Sequence, residues 1–224
     1  MRPIDKNLYT KNQATYNPYG NAKDDLFEAI GEYCTFCERR GHSSALDVEH
    51  IEHVEKNKKN PKEFEWNNFL LACKNCNSCK LTKEIIGILL PHKDNTYELF
   101  DYLESGFIQY HPSLSEEKKK QAVALINLTR LDRVKYRKGY NTTVYSGNDT
   151  LWSDRKKAWT LAQRYLKKYQ LNDCDIETIK DLALESGFWS IWMRAFESFP
   201  EVQKELINSF KGTRKEFFQN ILNS

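Results

Sequence analysis

The clearest periodic signal lies in the second half of the chain. Trp152, Trp159, Ala162, Leu166 and Tyr169 recur at steps of seven, three, four and three, which predicts one apolar stripe on a helix over 150–171. Three shorter helices are expected after it, over 175–186, 188–199 and 201–210, with Pro200 separating the last two. Aromatic residues surround much of the 188–199 segment, which suits burial in a core or, as a second reading, a face that docks a partner. Ser115 is placed to cap a helix running to about residue 128, with Glu116 and Glu117 in its first turn. Residues 24–30 read as a short helix with acids at its start and Gly31 at its end.

The middle of the chain has a different pattern. Residues 45–51 are strand-like, the lysine-rich stretch around Pro61 reads as an exposed loop, and a helix is expected from Lys74 onward. Residues 90–100 read as a loop followed by a helix or strand. There is no internal repeat and no low-complexity stretch. The expected fold class is α+β, with a mainly α-helical C-terminal region.

Composition narrows the class. The chain has 224 residues, 40% of them apolar and 29% charged, with a mean hydropathy of −0.73. Those values exclude collagenous, disordered and membrane-spanning chains and allow a core without disulfide staples. The longest strongly apolar run, 85–90, is broken by Gly87 and is far too short to cross a bilayer. The first residues lack an apolar export segment, so a cytoplasmic location and no membrane partner are expected. The net charge of +3 is weak for a chain that handles nucleic acid, but it is unevenly spread. Residues 118–138 hold eight basic side chains against Asp132, with Tyr136 and Tyr140 at hand. That stretch is either a phosphate-binding surface, with Arg130, Arg133, Lys135 and Arg137 as contacts, or a solvated helix face followed by a loop.

The six cysteines change the picture most. Cys34 and Cys37 form one two-residue-gap knuckle and Cys73 and Cys76 another, with 35 residues between the pairs. Such gaps let both thiolates of a knuckle face one ion, and two knuckles complete a tetrahedral site. Disulfides are disfavoured in a chain without an export signal, so structural zinc on these four is expected. Cys79 is either a substitute ligand or a small buried residue, and Cys174 is an ordinary one.

Between and after the knuckles come Glu49-His50-Ile51, then Asn68 five positions before Cys73, then Cys73-x-x-Cys76-Asn77-x-x-Lys80. This ordered series resembles the HNH endonuclease motif. The resemblance implies a ββα-metal finger with its core at 33–85, a zinc clip that holds it together, and a separate divalent ion for the chemistry. It implies His50 as the general base and Glu49 and Asn77 as ligands of Mg²⁺ or Mn²⁺. Asn68 would hydrogen-bond and orient His50, and Lys80 would touch a phosphate. His53 is a weaker candidate for a ligand or phosphate contact. Two departures from the usual pattern, Glu49 for aspartate and Asn77 for the final histidine, favour Mg²⁺ or Mn²⁺ over a tightly held transition metal. Strand alternation places Glu49 and His50 on opposite faces, so the active geometry calls for a twist at the strand end.

A wider resemblance rests on the opening MRPIDK, on Lys93-Asp-Asn-Thr96 with Gly106-Phe-Ile, and on Leu128-Thr-Arg-Leu-Asp-Arg133 before Asp154-Arg155. These are similar to a bacterial family that includes retron-associated HNH proteins and the PtuB-type nuclease subunit of Septu anti-phage systems. The similarity implies DNA as substrate and a hetero-oligomer with an SMC/ABC-like ATPase subunit from the same operon. The chain has no G-x-x-x-x-G-K-[ST] loop of its own, so nucleotide control would come from that subunit. The expected organisation is an HNH nuclease domain over 1–112 and a helical domain over 113–224 for partner docking and nucleic-acid contact. The competing class is a catalytically inactive zinc-bound scaffold or nucleic-acid-binding subunit.

Overall fold

The run Phe69-Leu-Leu-Ala-Cys73 has no polar position to offer solvent, and in the computed structural model all five residues are buried in strand β2 (Phe69–Cys73). It pairs antiparallel with β1 (Leu46–His50), Leu46 standing opposite Cys73 and His50 opposite Phe69. Helix α2 (Lys74–Lys80) starts at the residue after β2, so hairpin and helix form the expected ββα unit. The structure describes residues 1–54, 60–135, 144–145 and 149–224. Helix α2 is shorter than expected: the chain leaves the helix at Leu81 with φ at 47°, and the apolar residues at 85–90 follow in turns.

Among the described residues there are two more two-stranded sheets. Strands β3 (Phe100–Tyr102) and β4 (Ile108–Tyr110) form a hairpin that begins at the end of the 90–100 segment, which is otherwise turns and loop. Its turn needs Gly106, with φ at 88°, because a Cβ there would sit 2.4 Å from the Trp152 carbonyl. Strands β5 (Val134–Lys135) and β6 (Val144–Tyr145) form a short parallel pair within and just beyond the basic stretch.

The helices follow their caps. Helix α1 (Lys23–Ile30) stops at Gly31, α3 (Glu116–Thr129) is capped by Ser115, and α5 (Ile176–Ser186) is capped by Asp175. Helix α4 (Leu151–Gln170) buries Leu151, Arg155, Ala158, Trp159 and Ala162, so its stripe is turned away from Trp152. Arg155 can sit there because its guanidinium donates to the Leu131 carbonyl at 2.6 Å. Helix α6 (Trp189–Ala195) is shorter than expected and enclosed: Phe188, Trp189, Ile191, Trp192, Met193 and Phe196 are all core residues. The core reading of that segment therefore holds, and its tryptophans face no partner. Helix α7 (Pro200–Ser209) takes Pro200 into its first turn, where the missing N–H costs nothing, and α8 (Gln219–Leu222) closes the described chain. Among the described residues no helix is long and apolar enough to cross a membrane.

Contacts across residue 112 are extensive. The Arg2 guanidinium donates to the carbonyls of Ile30 and Lys211 at 2.8 and 2.6 Å, and Tyr33 Oη donates to the Leu184 carbonyl at 2.7 Å. Glu38, one residue past Cys37, is buried and accepts from Ser190 Oγ at 2.6 Å, from Ser190 N at 3.2 Å and from Arg2 N. Its own carbonyl accepts from Phe188 N at 2.9 Å, and Gly187 leaves the room: a Cβ there would meet that carbonyl at 2.7 Å. The first knuckle is thus bonded to the start of α6. Replacing Glu38 with alanine strands the buried donors of Ser190 and Arg2 and should cost about 3–5 kcal/mol in a urea unfolding titration. A loss under about 1 kcal/mol would show that Glu38 is not the joint.

Candidate metal centre and active site

Cys34 and Cys37 follow α1 in a tight turn, Cys73 ends β2, and Cys76 lies in the first turn of α2. All four are buried, and their sulfur atoms lie within 4.8 Å of one another. Cys37 Sγ and Cys73 Sγ are 3.7 Å apart, well beyond a disulfide bond of about 2.05 Å. A tetrahedral zinc with bonds of about 2.3 Å has sulfur–sulfur edges of about 3.8 Å, so the set fits that ion. The electrostatics agree. Burial pushes the Cys34 thiol up and the neighbouring sulfurs push Cys76 up, while S–H donors from the other three hold Cys37 well below its usual value. A divalent cation is what lets four clustered thiols lose their protons together. Cys79 is buried outside the four, and half-buried Cys174 donates weakly to the Tyr165 carbonyl.

Glu49 and His50 end β1, and the pleat sends them to different sides. Glu49 turns toward α2, where Lys80 Nζ meets its Oε1 at 2.8 Å and donates to the His50 carbonyl at 2.7 Å. Burial pushes the Glu49 carboxyl up, and Lys80 pulls against that shift. The His50 ring lies edge-on to Phe69 at 5.3 Å and to Tyr19 at 4.7 Å. Its Nε2 is 2.9 Å from the Glu63 carbonyl oxygen. A carbonyl only accepts, so Nε2 carries the proton in the neutral ring and Nδ1 keeps its lone pair. Asn77 is half-buried on α2, three residues before Lys80 and on the same helix face.

Four expectations need correction. Asn68 does not bond His50: its Oδ1 accepts from Glu52 N at 2.8 Å, and its Nδ2 donates to the carbonyls of Glu52 and Lys62 at 3.1 and 3.0 Å. It clamps the two sides of the loop that delivers the Glu63 carbonyl. Lys80 is 1% exposed and paired with Glu49, so it cannot reach a phosphate in this conformation. Arg133 is equally buried and pairs with Asp149 at 2.6 Å, so it is no surface contact either. The helix expected to continue beyond Lys80 ends there, as described above. Arg130 is partly buried with Nε 3.8 Å from Asp132, and Lys135 lies in β5. Arg137, Lys138, Tyr136 and Tyr140 lie outside the described residues. His53 is exposed beyond the end of β1.

Sequence reasoning missed Tyr19, the Glu63 carbonyl and Lys6. Lys6 is buried and its ammonium donates to the carbonyls of Trp66 and, at 2.6 Å, Phe69, the residues that bracket Asn67 and Asn68. Burial lowers its pKa to about 7. It borders a cleft of about 370 Å³ that Asn7, Glu52, Lys62, Asn68 and His92 also line. Burial keeps His92 neutral there, its pKa lowered to about 3. Nothing in the spacing of these residues points to the motif, because each acts through, or on, a backbone carbonyl or a ring face.

Residues 34–83 match the HNH endonuclease family model. The match takes in both knuckles, β1, β2 and α2, and supports a nuclease activity in general. No curated protein matches the chain.

Proposed function

We propose that the protein is a metal-dependent HNH endonuclease that hydrolyses DNA phosphodiester bonds. The observation that carries the reading is the placement of His50: it ends the first strand of a cysteine-clipped ββα unit, with Nε2 fixed on a carbonyl and Nδ1 without a hydrogen bond among the described residues. The imidazole then takes the proton of the attacking water at Nδ1. Asn68 keeps the loop closed so that the ring does not turn, and Tyr19 and Phe69 wall it in. Glu49 and Asn77 are the oxygen donors for Mg²⁺ or Mn²⁺, which when bound supplies charge neutralisation at the phosphate. Lys80 holds the Glu49 carboxylate until then, so the ion must compete with an ammonium.

In the same reading the enzyme is the nuclease effector of a bacterial anti-phage defence system and acts with an SMC/ABC-like ATPase subunit. The resemblance of the MRPIDK opening and of the segments near 93–96 and 128–133 supports this. Supercoiled plasmid incubated with Mg²⁺ or Mn²⁺, with and without the ATPase, should be nicked or linearised, and EDTA should stop it. Glu49→Gln should lower the rate about tenfold or more, with part of the loss recovered at higher Mg²⁺. Intact plasmid under all these conditions would leave the inactive scaffold as the better reading.

A further inference from the structure

The clip lies within a ring of arginine. Arg133, 1% exposed, aims NH1 and NH2 at Cys76 Sγ, 3.7 and 3.6 Å away. Its Nε donates to Asp149 Oδ2 at 2.6 Å, and NH1 also reaches the Thr129 and Arg130 carbonyls. Asp149 is itself fixed: Oδ2 accepts from Asn75 Nδ2 at 3.0 Å, one residue before Cys76, and Oδ1 accepts from Leu151 N at 2.8 Å, at the start of α4. On the first-knuckle side Arg39 pairs with Asp154 at 2.9 Å. Arg133 thus ties Cys76 to the start of α4 through Asp149, and Arg39, two residues past Cys37, pairs with Asp154 in the first turn of the same helix.

The charge explains the arrangement. Zinc with four thiolates carries roughly two net negative charges, which a buried site must neutralise. A guanidinium that donates to a thiolate sulfur lowers the electron density on it and screens it from protonation. We propose that Arg133 is a positioning residue of the zinc clip, and that metal retention by the four cysteines depends on the Arg133–Asp149 closure over Cys76. The basic stretch is then partly a component of the metal site rather than a nucleic-acid surface. This inference rests on zinc being held by the four cysteines.

The test uses the full-length chain loaded with zinc or with Co²⁺. Arg133→Met should release zinc to a chromogenic chelator at least about tenfold faster than wild type, as loss of an outer-shell partner does. In the cobalt form, its thiolate-to-metal charge-transfer band should move to lower energy, since the sulfur has lost its donors. Arg133→Lys should fall between the two, and Arg130→Met, which removes a neighbouring charge without touching Cys76, should match wild type. Asp149→Asn, which keeps the guanidinium but weakens its anchor, should also speed release and serves where Arg133→Met does not fold. Wild-type release and an unmoved band in Arg133→Met, or wild-type release in Asp149→Asn where the former does not fold, would overturn the proposal alone. A wild-type protein with no zinc and no thiolate–cobalt band would overturn it together with the zinc reading.

Discussion

Cys73→Ser should strip the protein of its zinc and unfold the ββα unit, whereas Cys79→Ser should leave both unchanged. Cys73 sits at the junction of β2 and α2, so one side chain supplies a ligand and marks where strand becomes helix. Helix α2 has only seven residues, too few to be stable alone, and no side chain caps its start. Cys76 in its first turn joins it to the first knuckle through the four-sulfur cluster, and zinc bound there would fix it. Structural zinc contributes on the order of 10 kcal/mol to small metal domains at neutral pH, comparable to the whole stability of a domain. The first knuckle is tied to β2 by Thr35 N on the Leu71 carbonyl at 2.9 Å and to α6 through Glu38, so loosening the clip should reach the helical part. Zinc per chain by elemental analysis and the melting temperature by circular dichroism check this. Equal zinc content in Cys73→Ser and wild type would defeat the assignment of ligands.

What could be read from the sequence divides along a physical line. The four cysteines were legible because ligation imposes a local gap of two residues on each knuckle, whatever lies between. Helices α1 and α3 were legible because their ends are written in Gly31 and in the cap at Ser115. The long helix was legible by period, but its facing was off, since buried Arg155 counts as polar in any pattern. The basic stretch suggests Arg133 as a phosphate contact for the same reason, whereas the phosphate role of Lys80 is what the HNH resemblance implies. A charged residue looks exposed unless its partner is known, and Arg133 finds its partners 16 residues ahead in Asp149 and 57 behind in Cys76. The group that orients His50 was illegible in principle. Every residue has a carbonyl, so nothing in the sequence singles out Glu63, and Asn68 was assigned the task that this carbonyl performs.

That carbonyl gives the catalytic prediction its form. Removing the imidazole in His50→Ala should lower the initial rate of plasmid cleavage by about 10²- to 10⁴-fold, the usual worth of a positioned general base. The zinc content should not change, because the His50 side chain packs on Tyr19 and Phe69 and bonds the Glu63 carbonyl rather than any part of the clip. Higher Mg²⁺ should not restore the rate, and this separates the variant from Glu49→Gln, whose loss is in metal binding. The geometry also sets what a conservative replacement can do. Glutamine at position 50 can donate to the Glu63 carbonyl in place of Nε2 and so keep the loop in place, yet it offers no basic nitrogen at the position of Nδ1. His50→Gln should therefore be as inactive as His50→Ala while melting closer to wild type. A glutamine variant that cleaves at the wild-type rate would remove His50 from the chemistry and leave it as a brace between Tyr19, Phe69 and the loop.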